Sequence, residues 1–178
     1  MCIRDRISSV IKTSASGDSG TFTKAGAGWL QLTGVNTWVR PISITAGTLE
    51  VAAAGSLSGS ATQTISNSGT LAFTGTANQT LAGAITNSGT LTHTSASTLT
   101  LSGALSGAGA IQKTGSGTLT LSGGGTYSGT LAVSGGTLVV SSTLSSVAST
   151  SVASGATLRG TGTLGGTVTV ANGSAVLG

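Results

Sequence analysis

Acidic residues are almost missing from this chain of 178 residues. Asp5, Asp18 and Glu50 are its carboxylates, and none occurs from Val51 to Gly178. A glycoside hydrolase needs two carboxyl groups flanking a bond, and Ca²⁺ wants several carboxylates, in RTX nonapeptides an Asp in each copy. Neither supply exists here. His93 is the single histidine and Cys2 the single cysteine. Zinc takes three or four protein ligands, so no metal site is expected. One cysteine also excludes an internal disulfide. The glycine-rich runs lack the Gly-Lys-Ser/Thr ending of a phosphate loop, and no cofactor is expected. The five aromatics, Phe22, Trp29, Trp38, Phe73 and Tyr127, do not interleave with a basic cluster. The cations Arg4, Arg6, Lys12, Lys24, Arg40, Lys113 and Arg159 are scattered. That argues against a nucleic-acid partner, which wants clustered cations and stacking rings. No apolar run reaches the ~18 residues of a membrane-spanning helix.

What is present is small and periodic. Glycine accounts for 30 residues, with serine, threonine and alanine dominating the rest. Collagen would show a three-residue glycine period and many prolines, whereas Pro41 is the only proline. Disorder would need low hydrophobicity, yet mean hydropathy is positive and Leu, Ile and Val recur at regular intervals. Short alternating runs separated by glycine turns predict strands, with no stripe that could face a helix inward. Gly69, Gly89, Gly109 and Gly129 are spaced by 20, each followed two residues on by Leu71, Leu91, Ile111 or Leu131. Leu81, Leu101 and Leu121 form a second column, with Gly83, Gly103 and Gly123 after them. A 20-residue period with two or three strands per turn predicts one coil of a β-solenoid, roughly nine coils making a rod about 40 Å long. The leucines are then an inner ladder. Corners such as Asn67-Ser68-Gly69 and Asn172-Gly173 are expected to use the positive φ that Gly and Asn tolerate.

The stretch 109–140 aligns without a gap on 20–51, 89 residues upstream. Lys113-Thr-Gly-Ser-Gly-Thr-Leu-Thr-Leu-Ser-Gly123, Thr126-Tyr127-Ser128-Gly129 and Gly135-Gly136-Thr137-Leu138 resemble the autotransporter-associated β-strand repeat of type V secreted passenger domains. The earlier copy keeps Asn36 but has Trp38 for the tyrosine and Arg40-Pro41 for the following glycine. The resemblance implies a right-handed parallel β-helix at the cell surface or outside it. It also implies a parent with an outer-membrane translocator barrel as partner, and an adhesive or display role toward a host-surface or glycan ligand. Residues 1–6 differ in composition and are set aside as an expected non-native start; 7–178 are expected to be one β-helix passenger fragment. The parent frame is expected to add a signal peptide, further coils and the barrel.

Four constellations invite a chemical interpretation. Gly17-Asp18-Ser19-Gly20 matches the nucleophile motif of chymotrypsin-like proteases, but a triad also needs a histidine base. His93 lies far downstream, so a Ser/Gly corner is the expectation, as is the absence of catalytic residues. His93 itself is expected to point outward, opposite Leu91. Lys24 and Lys113, equivalent in the two copies, are expected to be solvated strand-end lysines that discourage edge pairing. Thr80, Thr100 and Thr120 form one 20-spaced column and Thr98 and Thr118 another beside it. With Leu99 and Leu101 inward, these threonines point out together. They are the candidate surface-contact face, and threonine ranks on a flat solenoid face resemble those of ice-binding proteins.

Overall fold

A computed structural model describes residues 4–7, 20–57 and 63–178. Among the described residues there is no helix, and all strand pairing is parallel. The chain winds as a three-faced β-solenoid. The largest face has nine strands: β1 (Arg4–Ile7), β3 (Trp29–Leu32), β5 (Thr48–Val51), β7 (Thr70–Phe73), β10 (Thr90–His93), β13 (Ala110–Lys113), β15 (Thr130–Val133), β18 (Ser149–Val152) and β21 (Thr167–Val170). The second face has six: β8 (Gln79–Leu81), β11 (Thr98–Leu101), β14 (Thr118–Leu121), β16 (Thr137–Val140), β19 (Thr157–Arg159) and β22 (Ala175–Leu177). The third face holds β2 (Phe22–Lys24), β4 (Ile42–Ile44), β6 (Ile65–Asn67), β9 (Ile85–Asn87) and β12 (Leu105–Ser106). A two-strand pair, β17 (Thr143–Leu144) and β20 (Thr163–Leu164), follows later in the chain.

Alternation along each strand builds the core. In the central strands the second and fourth residues point in and are buried, as in β11 and β14. Leu49, Leu71, Leu91, Ile111 and Leu131 stack on successive rungs of the nine-strand face. Leu81, Leu101 and Leu121 stack opposite as expected, at 2 %, 1 % and 1 % exposure. Each leucine so buried contributes about 1.5–3 kcal/mol.

The glycine columns have a cause other than the one expected. Gly173 does adopt positive φ (+84°), whereas Gly69, Gly89, Gly109 and Gly129 do not. They are needed because the coil below is too close. A Cβ on Gly89 would stand 2.1 Å from Gly69 O, and one on Gly129 would stand 1.8 Å from Gly109 O. The Asn67-Ser68-Gly69 corner is therefore set by close approach, and Asn67 turns its amide inward. Its Nδ2 donates to Asn87 Oδ1 at 2.7 Å and to Thr90 O at 2.9 Å.

The aligned stretches do not occupy the same faces. The earlier copy runs β2, β3, β4, β5, from the third face to the nine-strand face in each coil. The later copy runs β13, β14, β15, β16, from the nine-strand face to the six-strand face. Coil lengths on the nine-strand face vary: Trp29, Thr48 and Thr70 stack although 19 and then 22 residues separate them. The later copy is thus rotated by one face about the rod.

Candidate functional site

The threonine face lies on the six-strand sheet. Thr98 stacks on Thr118, and Thr100 lies between Thr80 and Thr120. Thr80 is exposed; Thr98, Thr100, Thr118 and Thr120 are half-buried by one another's rungs. One column runs farther than its 20-residue spacing suggests. Thr118 stacks on Thr137, and Thr137 on Thr157, making four rungs: Thr98, Thr118, Thr137 and Thr157. The coil between Thr118 and Thr137 is one residue short, so a fixed period of 20 misses the continuation. The other column ends in Val139 and Arg159 after Thr120. Hydroxyls repeat about every 4.8 Å along the rod and about 6.7 Å along a strand. The array offers hydrogen bonds and methyl contacts without charge. From Val51 onward, Arg159 is the one exposed ionised side chain among the described residues.

Two expectations about polar residues are overturned. His93 is 0 % exposed and Lys113 1 % exposed. Each stands two residues after an inward residue, Leu91 or Ile111, and alternation therefore turns it inward as well. Lys24, two residues after Phe22, is buried for the same reason. These lysines do not guard a strand edge. Lys24 Nζ donates to Ala25 O (3.0 Å), Gly26 O (2.8 Å) and Ala46 O (3.1 Å). Lys113 Nζ donates to Gly115 O and, at 3.2 Å, to Gly135 O.

His93 Nε2 lies 2.9 Å from Ser95 Oγ, and Ser95 Oγ lies 2.6 Å from Ser97 Oγ. Ser97 Oγ donates to Gly75 O at 3.1 Å. A serine against a histidine is the contact of a nucleophile and its base, but a triad also orients the other ring nitrogen. Here His93 Nδ1 is buried without a hydrogen-bond partner. Glu50 is engaged elsewhere, accepting from Trp29 Nε1 (2.9 Å), Gln31 Nε2 (2.8 Å) and Thr74 Oγ1 (2.7 Å). The cluster therefore satisfies a corner and presents no assembled catalytic group. Gly17, Asp18 and Ser19 lie outside the described residues; Gly20 is exposed.

Tyr127 occupies the inner corner between β14 and β15, where no strand forms. It is fully buried, and its Oη donates to Gly109 O (2.6 Å) and Thr130 O (3.0 Å). Burial holds its phenol well above the usual range. At the equivalent place in the earlier copy Trp38 is partly buried, with Nε1 unpartnered.

The family model of the passenger-associated-transport-repeat matches residues 22–51 and 111–140, about a third of the chain. No curated protein and no solved structure matches it.

Proposed function

We propose, from the premise that this chain carries two passenger-associated-transport repeats of autotransporter passengers, that it serves as a stalk segment of such a passenger. Its task is spacing and display, with adhesion through its faces, outside the cell and tethered through a translocator barrel in the parent protein. One observation carries this: both repeat copies lie inside a single parallel stack nine strands deep. Eight rises of about 4.8 Å give a rod about 40 Å long. A solenoid of this kind is stabilised by neighbour-on-neighbour contacts, so it can lengthen by adding coils without redesigning a core. No catalytic step is assigned to it.

The experiment is a display assay. The chain is placed between a signal peptide with an N-terminal epitope and a translocator barrel, in a Gram-negative host. The epitope should reach the surface, stain in intact cells and be removed by added protease. Retention of the epitope in the periplasm, with a functional barrel and a control passenger displayed, would refute the stalk assignment.

A second proposal rests on the four-rung threonine column. An uncharged hydroxyl and methyl lattice suits a neutral, ordered ligand surface, ice or a glycan. Inhibition of ice recrystallisation by the recombinant chain, lost in Thr118→Lys, would favour this role over spacing alone. No inhibition together with no binding to neutral glycans would remove it.

A further inference from the structure

The last position of the nine-strand face forms a ladder with seven consecutive buried rungs. Leu32, Val51, Phe73, His93, Lys113, Val133 and Val152 stack in register. All are at most 2 % exposed. Five of them are apolar. The two that can carry charge are neighbours in the middle of the rod, and no carboxylate shares their corner. Lys113 spends donors on Gly115 O and Gly135 O. His93 uses Nε2 on Ser95 Oγ and leaves Nδ1 unpartnered.

We propose that the rungs of His93 and Lys113 form an acid-opened seam, at which the coils part locally while the coils on either side stay paired. A protonated imidazole has two donors and no acceptor. In that form the Nδ1–H has no partner in this corner, and an ammonium group stands on the next rung. Both the unmet donor and the like charge weigh against the closed form. The groups facing His93 are Phe73 from β7, Lys113 from β13, and Ser95 and Ser97 from its own corner. Strands β8, β9, β11, β12 and β14 carry no ionisable side chain. Tyr127, the remaining buried ionisable group of these coils, pairs with Gly109 O and Thr130 O instead.

The electrostatics agree in direction. Burial first, then Lys113, hold the imidazole pKa down to about 4. Burial also lowers that of Lys113. A histidine depressed on folding contributes stability that is present above its unfolded value, about 6.5, and is lost as pH falls through the folded one. The window for the seam is therefore between about pH 6.5 and about pH 4.

Amide hydrogen exchange on the recombinant chain locates the opening. The amides of Thr94, Thr114 and Gly115 cross these rungs, donating to Phe73 O (3.0 Å) and His93 O (3.0 and 3.3 Å). Corrected for intrinsic chemistry, their opening constants should rise on the order of a hundredfold between about pH 7.5 and about pH 4. Those of Ser141 and Ala153, which cross rungs farther along, should rise less than about threefold. His93→Phe, which continues the Phe73 rung, should abolish the difference, as should His93→Gln, which cannot titrate. A side-chain NMR titration of His93 with a midpoint near 6.5 overturns the proposal, whatever the variants do. So does equal loss of protection at all five amides, or an unchanged pH response in either folded variant.

Discussion

The claim that glycine spacing is set by the coil below can be tested by asking three glycines for three different answers. A Cβ added at Gly109 would meet Gly89 O at 2.1 Å and both Gly89 N and Ser88 C at 2.8 Å, all backbone. To restore ordinary contact the two rungs must separate by more than about 1 Å, against the sheet spacing of about 4.8 Å. Two bonds cross that gap beside the glycine: Gly109 N to Asn87 O and Ala110 N to Gly89 O, each 2.8 Å. Such a separation stretches both past bonding distance. Each costs about 1–3 kcal/mol when its groups stay buried and unmet, so Gly109→Ala should lose about 2–6 kcal/mol. Gly124 is the control. A Cβ there meets nothing nearer than Thr143 O at 3.6 Å, and its φ is not in the left-handed region. Gly124→Ala should be neutral or stabilising by up to about 1 kcal/mol through the unfolded chain. Gly155 separates conformation from space. It has nothing within 4 Å but a φ of +79°, so Gly155→Ala should lose about 1–2 kcal/mol. Urea-unfolding midpoints followed by far-UV circular dichroism rank the three. Equal midpoints for the Gly109 and Gly124 variants would refute the close-approach argument.

Two further outcomes follow from the core. Leu101→Asp places an unpaired carboxylate between Leu81 and Leu121 and should cost at least about 4 kcal/mol; a soluble variant with the wild-type circular dichroism spectrum and midpoint would contradict the inner ladder. Tyr127→Phe removes the donor to Gly109 O and Thr130 O and should lower stability by about 1–2 kcal/mol, measured by the same midpoint; no loss would mean that ring packing alone accounts for the residue.

Much of this fold is legible in the chain because one residue type repeats at one interval. Leu81, Leu101 and Leu121 declare both period and face. The interior basic residues were also legible in principle. His93 stands two residues after Leu91, and alternation alone puts both inside. The general exclusion of charge from cores pulled the expectation outward. What compensates the two lysines, corner carbonyls drawn from two coils, is backbone and leaves only small residues, glycine and alanine, as its trace. Thr137 and Thr157 escaped for another reason: a coil one residue short breaks a fixed period while leaving the hydrogen-bonded register intact. The face occupied by each repeat copy could not be read at all. It depends on the summed lengths of the intervening coils, which no local pattern encodes.

That last point says what the repeated signature specifies. In the earlier copy Lys24 bonds its own corner at Gly26 O and the next coil at Ala46 O. In the later copy Lys113 bonds Gly115 O and Gly135 O, the aligned positions. Thr48 N donates to Gly28 O, and Thr137 N to Gly117 O, both at 3.1 Å. Gly47 and Gly136 have φ of +66° and +63°. A Cβ on either would stand 2.3–2.4 Å from the two glycine carbonyls of the coil below. The two corners thus share a geometry although they join different pairs of faces. The lysine explains why. Carbonyls from two coils converge on one interior point, and their like dipoles need a donor that no backbone group there supplies. An inward ammonium with three donors meets several of them at once. The signature is therefore a two-coil clip, and its unit is a corner with the strands on either side. A clip so defined fits both corners at which it is found, so the two copies lie rotated about the axis without loss of register.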